Sequence, residues 1–252
     1  MEQQPSEAPF VVPCRQLDTR APWRWLALGW RDLRRAPALS ALFGVVTVLV
    51  SLLISWVAWQ LGRFALLAML LSGFVFVAPL LGIAMYAVSR CLLDGEIPRL
   101  HTSLQLARRV MGQAGIFALI QLVVMLLWSR AGMMLTVFVP MGHSDPVALA
   151  EYLFIGSLVG SVFAALTFAV TVVSLPLIAD REVDMVTACV SSVNCVLRNK
   201  GVMALWAILI AVLTAIGFAT AFIGLGLVMP WLAYASFHAY RDTLDAADWP
   251  RA

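Results

Sequence analysis

Residues 38–61, ALSALFGVVTVLVSLLISWVAWQL, carry no charged side chain. About 20 apolar residues are enough to cross the hydrocarbon core of a bilayer as a helix, because a helix satisfies its own backbone polar groups where water is absent. This run alone points away from a soluble fold. A second follows after Gly62 and Arg63, FALLAMLLSGFVFVAPLLGIAMYAVS over 64–89. Two spans joined so closely form an antiparallel hairpin. A third run covers 113–130, where Arg130 interrupts an apolar stretch that continues to Val139. The fourth covers 152–179. The last apolar block suits two spans, 201–221 and 222–240, with a turn near Phe222 to Gly226 where Gly224 and Gly226 relax the backbone. The whole chain is 62% hydrophobic and 12% charged, against about a quarter charged in soluble domains.

The expected fold is all-α: six transmembrane helices as three hairpins, each preceded by a cytoplasmic interfacial amphipathic helix. Residues 1–20 are expected as a disordered cytoplasmic tail, 21–244 as the membrane domain and 245–252 as a second cytoplasmic tail. No secretory signal is expected in the polar, acidic first 20 residues. With six spans, fifteen of the 17 Lys and Arg fall on one side, leaving Arg63 and Arg130 on the other. That bias makes the first side, with both termini, cytoplasmic, and the expected location is the bacterial inner membrane.

The amphipathic stretches read as follows. In PWRWLALGWRDLRRAP, 22–37, Trp23, Leu26, Trp30 and Leu33 form an apolar stripe, with Arg24, Arg31 and Arg35 on an adjacent face. Tryptophan at headgroup depth and arginine toward anionic lipid is the pattern of an interfacial helix, so Trp23, Arg24, Trp30, Arg31 and Arg35 are the candidate lipid-interface residues. A nucleic-acid surface is not expected, because the rings share their stripe with leucines. The second stretch is TSLQLARRVMG. The third, VDMVTACVSSVNCVLRNKG, pairs an apolar stripe (Val183, Val186, Val190, Val193, Leu197) with a polar one (Asp184, Thr187, Ser191, Asn194, Arg198). The second span of each hairpin contains a proline, Pro79, Pro176 or Pro230, each expected to kink its helix. Interfacial helix, span and proline-bearing span then form a threefold internal repeat.

PWRWLALGWRDLRRAP, FVFVAPLLGIAMYAVSR with GEIP, TFAVTVVSLPLIADREVDMVTACVSSVNCVLRN and WLAYASFHAYRD together resemble a bacterial family of integral membrane proteins of unknown function. Some of its members carry a provisional label as cytochrome c oxidase subunit I. The resemblance implies an inner-membrane protein and brings no agreed activity or site residues. A haem–copper subunit needs several intramembrane histidines. This chain has only His101, His143 and His238, of which His238 alone falls in a span, so the catalytic label fails on ligand count.

Ionisable residues within spans are functional candidates by default, and few are present. Arg130 and Glu151 bracket the expected external segment and form a candidate pair at the outer boundary; both as ordinary loop anchors is the plainer reading. Asp180, Arg181, Glu182 and Asp184 read as capping and dipole compensation at a helix start. His238 and Asp242 lie one helical turn apart; an interfacial polar cluster is the plainer reading than an Asp-oriented histidine. Cys14, Cys91, Cys189 and Cys195 read as small apolar filler. No Walker loop, nucleophile elbow or zinc spacing occurs, and neither cofactor nor metal nor catalytic residue is expected. The leading expectation is a non-enzymatic scaffold, assembly or accessory protein contacting membrane lipids and a membrane-protein partner or a second copy of itself. A small transporter or channel is the alternative, and an accessory to a respiratory oxidase the second alternative.

Overall fold

The long apolar runs are helices in the computed structural model of the chain, which describes residues 11–60, 82–138 and 146–252. The helices are α1 (Ala21–Arg35), α2 (Pro37–Gln60), α3 (Gly82–Leu93), α4 (Leu100–Arg109), α5 (Met111–Phe138), α6 (Pro146–Thr171), α7 (Ser174–Asp180), α8 (Met185–Arg198), α9 (Lys200–Ala219) and α10 (Leu225–Thr243). Among the described residues the only β pairings are two isolated bridges, Cys14 with Leu244 and Arg181 with Arg251. Among the described residues, four segments are long and apolar enough to cross a membrane: Pro37–Trp56, Gly115–Met134, Phe154–Asp180 and Lys200–Ala219. They answer to the expected first, third, fourth and fifth spans. The second expected span falls mostly outside the described residues, with Pro79. The sixth expected span falls on the helix α10, whose polar last turns, with His238, Arg241 and Asp242, keep it below that mark. The protein is thus an all-α integral membrane protein, and a count of six spans does not follow from the described helices.

The outward faces fit this. Leu49, Leu53 and Trp56 on α2, Leu119 and Leu127 on α5, Phe154 and Leu158 on α6, and Ile208 and Ile216 on α9 are all exposed. Such a continuous apolar surface suits lipid, not water.

Arg130 does not end the third span. α5 runs through it to Phe138, because a charge is barred from hydrocarbon but arginine is a good helix former. At about 1.5 Å per residue, α5 is longer than the roughly 30 Å apolar core. α6 likewise starts at Pro146, ahead of the expected 152, with proline at a position that needs no N–H donor.

The fourth span is broken where its proline requires. Pro176 cannot donate to Val172 and its ring crowds that carbonyl; the chain leaves the helix at Val172 and Val173 and resumes as α7. Two of the groups freed there are taken by one side chain of α8: Ser192 Oγ donates to the Ala169 carbonyl (2.7 Å) and accepts from Val173 N–H (3.4 Å). α10, in contrast, continues as helix through Pro230.

α10 is the central helix, packed against α1, α2, α7 and α9. Two glycines permit this. A Cβ at Gly29 of α1 would lie 2.7 Å from Ala235 N and 2.9 Å from the Trp231 carbonyl oxygen. A Cβ at Gly44 of α2 would overlap the Gly226 carbonyl, the carbonyl that Pro230 leaves without its usual donor. The α9–α10 turn lies where expected, but Gly224 is right-handed and the left-handed residues are Ala221 (φ 51°) and Phe222 (φ 69°). Thr220 holds this turn, accepting from Gly224 N–H (2.8 Å) and donating to the Gly217 carbonyl (2.9 Å).

One end of the molecule is a polar cap that joins both ends of the described chain. Residues 11–20, where a disordered tail is expected, run in ordered, largely extended form between α8 and the segment after α10. Val12 N–H donates to Ser191 Oγ (3.0 Å), Arg15 N–H to the Thr243 carbonyl (2.8 Å) and Leu17 N–H to Asn199 Oδ1 (2.9 Å), while Asp245 N–H reaches the Pro13 carbonyl (2.9 Å). The expected C-terminal tail is also seated, with Trp249 buried and Glu182 N–H donating to the Pro250 carbonyl (2.9 Å).

Candidate functional site

The two buried carboxylates among the described residues, Asp32 and Asp180, both lie in the cap. Asp32 is on the buried side of α1. That side is lined by Ala21, Pro22, Trp25, Leu26 and Gly29, a helical spacing offset from the stripe expected to meet lipid. Asp32 Oδ2 lies 2.7 Å from His238 Nε2 of α10, with side chains 1% and 5% exposed. The partner expected for His238, Asp242, is engaged elsewhere: its Oδ2 accepts from Arg24 Nη2 and from Trp25 Nε1 (2.8 Å). With Nε2 facing a carboxylate, His238 does not offer that nitrogen to haem iron. His101 is exposed on α4, and His143 lies outside the described residues.

Asp180 ends α7 and is the hub of the cap. Tyr240 donates its hydroxyl to Asp180 Oδ2 (2.9 Å), Arg241 Nη1 lies 3.0 Å from the same oxygen, Arg181 Nε 3.5 Å, and Arg90 Nε 3.6 Å from Oδ1. Three guanidinium groups thus share one carboxylate that is 2% exposed. The same cations reach the C-terminal segment: Arg181 donates to the Trp249 carbonyl (2.6 Å) and Arg90 to that of Ala252 (2.7 Å). Capping, the reading made for the whole acidic group, belongs to Asp184, which accepts from the N–H groups of Val186 and Thr187 (both 3.0 Å). Hydrogen bonds from the Thr187 side chain and N–H hold its carboxyl below the usual range.

A cavity of about 450 Å³ opens beside these pairs, lined by Arg24, Trp25, Leu28, Leu93, Asp94, His238, Arg241, Asp242 and Arg251. Arg251 Nη1 lies 2.9 Å from Asp94 Oδ2. Asp32, Asp94, Arg90 and Arg251 escape a reading of the sequence because nothing local marks them. Asp32 offers the one hint, an acid inside the basic stripe of α1.

The other candidates are placed as follows. Trp23, Arg31 and Arg35 are exposed on α1. Leu26 is buried and Trp30 packs edge-on against Trp231 (5.2 Å between centroids), with the Arg34 guanidinium over the Trp30 ring at 5.4 Å from its centroid. Arg130 and Glu151 are both exposed within helices, α5 and α6, and make no ion pair with each other. α8 turns its hydroxyl stripe inward, with Thr187 and Ser191 buried, and its valine stripe outward, with Val186, Val190 and Leu197 exposed. Cys14 and Cys195, far apart in sequence, meet in the cap: the Cys195 side chain pulls the Cys14 thiol down, and that contact and burial push Cys195 up.

Neither a curated protein nor a solved structure matches the chain. Residues 66–180, which hold α5, α6 and the break before Pro176, match the sequence model of a family described as "Predicted integral membrane protein (DUF2189)", so over that part the chain is similar to a membrane-protein family of unknown function.

Proposed function

We propose that this chain is a non-enzymatic protein of the bacterial inner membrane with a scaffold, assembly or accessory role, its cap on the cytoplasmic face in contact with lipid and a membrane-protein partner. The observation that carries this reading is the use made of the cap's charges. Asp32, Asp180 and Asp242 each hold groups of the protein itself, and through them the cap joins α1, α7, α10 and the C-terminal segment. The exposed valines of α8, with Trp23, Arg31 and Arg35 of α1, give the cap an apolar and basic exterior suited to the headgroup layer. The seating of residues 11–20 and of the segment after α10 in one cap supports an even number of spans between them, as six would be.

A small transporter is the second reading, favoured by the break before Pro176, since broken helices line many transport sites. Here Ser192 takes the Ala169 carbonyl and the Val173 N–H, so those two groups are bonded within the protein and are not offered to a substrate. Affinity purification in mild detergent with mass spectrometry of co-purifying proteins and lipids tests the reading. A protein partner or retained anionic lipid is expected. Saturable solute or ion flux through vesicles reconstituted with the pure protein would overturn it.

A further inference from the structure

We infer that the cavity between α1, α10 and the end of α3 is a binding site for a phosphate-bearing anion. The inference rests on the reading of the cap as a membrane-facing surface, and it names the ligand class of that surface. Arg24, Arg241 and Arg251 line the cavity together. Each spends one nitrogen on an acid: Arg24 Nη2 on Asp242, Arg241 Nη1 on Asp180 and Arg251 Nη1 on Asp94. A guanidinium carries five N–H donors in a rigid fork, so donors remain at all three. The acids are already engaged, since Asp242 also accepts from Trp25 Nε1 and Asp180 is shared among three arginines.

Arginine forks match the oxygens of a phosphate two at a time. The volume, about 450 Å³, is in the range of small-molecule sites and exceeds what a bare ion fills. Trp25, Leu28 and Leu93 supply apolar wall beside the cations, and Leu93 is exposed at 45%. The cavity therefore has three arginines and apolar wall at the end of the spans, with its two carboxylates, Asp242 and Asp94, paired to Arg24 and Arg251; the donors left over and the apolar wall are the combination that a phosphate ester on a glycerol or similar stem requires. That ester could come from an anionic phospholipid headgroup or from a soluble phosphorylated compound.

The test uses the full chain in mild detergent, titrated by calorimetry with short-chain phosphatidylglycerol, glycerol phosphate and inorganic phosphate. Saturable binding of at least one is expected. If only the phosphatidylglycerol binds, the source is lipid; if glycerol phosphate binds as well and competes, the headgroup chemistry suffices. The double variant Arg24→Gln/Arg251→Gln should weaken binding about tenfold or more. Leu28→Trp, which fills the cavity and keeps every charge, should do the same. Arg108→Gln/Arg109→Gln, exposed on α4 and outside the cavity, should bind as the parent does. No saturable binding of any probe, or unchanged binding in both cavity variants, overturns the inference. Loss of binding in Arg31→Gln/Arg35→Gln with both cavity variants unchanged would place the ligand on the exposed face of α1, overturning the inference while leaving the interfacial reading of the cap in place. Flux through reconstituted vesicles would overturn the scaffold reading and leave the cavity result standing.

Discussion

A carboxylate removed from water needs a partner, and Asp32 has His238 at 2.7 Å. Taking away one member strands the other, which typically costs about 3–5 kcal/mol for a buried pair. His238→Ala is therefore expected to lower the midpoint of thermal unfolding in detergent sharply. Asp32→Asn/His238→Asn should lose less than the two single changes together, with a coupling on the order of 1–3 kcal/mol in a double-mutant cycle. Additive losses would mean that the two side chains do not support each other. Gly29 is the second residue on which the α1–α10 contact turns. Backbone atoms of Ala235 and Trp231 occupy the space of a Cβ, so even Gly29→Ala must push the helices apart, at roughly 1–3 kcal/mol. Both predictions concern residues only half legible in the sequence. The one-turn spacing of His238 and Asp242 is plain there, but choosing Asp32 over Asp242 requires α1 to be laid on α10. That is a tertiary contact across more than 200 residues of chain, which no local pattern encodes.

Among the elements, α8 shows the same limit in another form. Its two stripes can be counted in the sequence, yet period alone does not say which faces the protein. In water the valines would turn in; here Ser191 and Ser192 turn in, because the N-terminal segment and the break before α7 bring backbone groups that need hydroxyl partners. Pro176 announces the break, while the side chain that mends it lies on another helix. Ser192→Ala removes that mend and leaves Ala169 O and Val173 N unpaired. A loss of about 1–3 kcal/mol is expected for buried groups left unsatisfied, read as a lower unfolding midpoint; Ser192→Thr, which keeps the hydroxyl, should recover most of it. No difference between the alanine and threonine variants would show that the break needs no side-chain support. At the start of α8, Asp184→Ala should cost about 1 kcal/mol as a lost N-cap. Because folding lowers the Asp184 pKa, its contribution is complete above the unfolded value near 3.8 and fades as pH falls through the folded value. The gap between the parent and Asp184→Ala should thus be constant at neutral pH and narrow in acid.

For the whole molecule, charge and hydropathy specify a helical membrane protein and mark most of its long helices, since exclusion of charge from hydrocarbon acts on composition alone. The cap is legible only in part, because it is assembled from segments that meet after the helices have packed: residues 11–20, the acids of α1 and α7, the last turns of α10 and the segment carrying Trp249. Its orientation is where charge speaks again. Arg15, Arg90, Arg181, Arg241 and Arg251 all belong to the cap, and Lys and Arg gather on the cytoplasmic side of membrane proteins. The α9–α10 turn lies a full span away from it, with Ile223 exposed at its tip. In a variant with all four native cysteines replaced, Ile223→Cys is expected to react with a membrane-impermeant maleimide on intact cells made permeable at any outer membrane. Glu182→Cys, exposed on the cap, should react only after lysis. The reverse pattern would place the cap outside and overturn the assignment to the cytoplasmic face. Labelling of both sites in intact cells would put the turn and the cap on one side, and α9 and α10 could then not each cross the membrane.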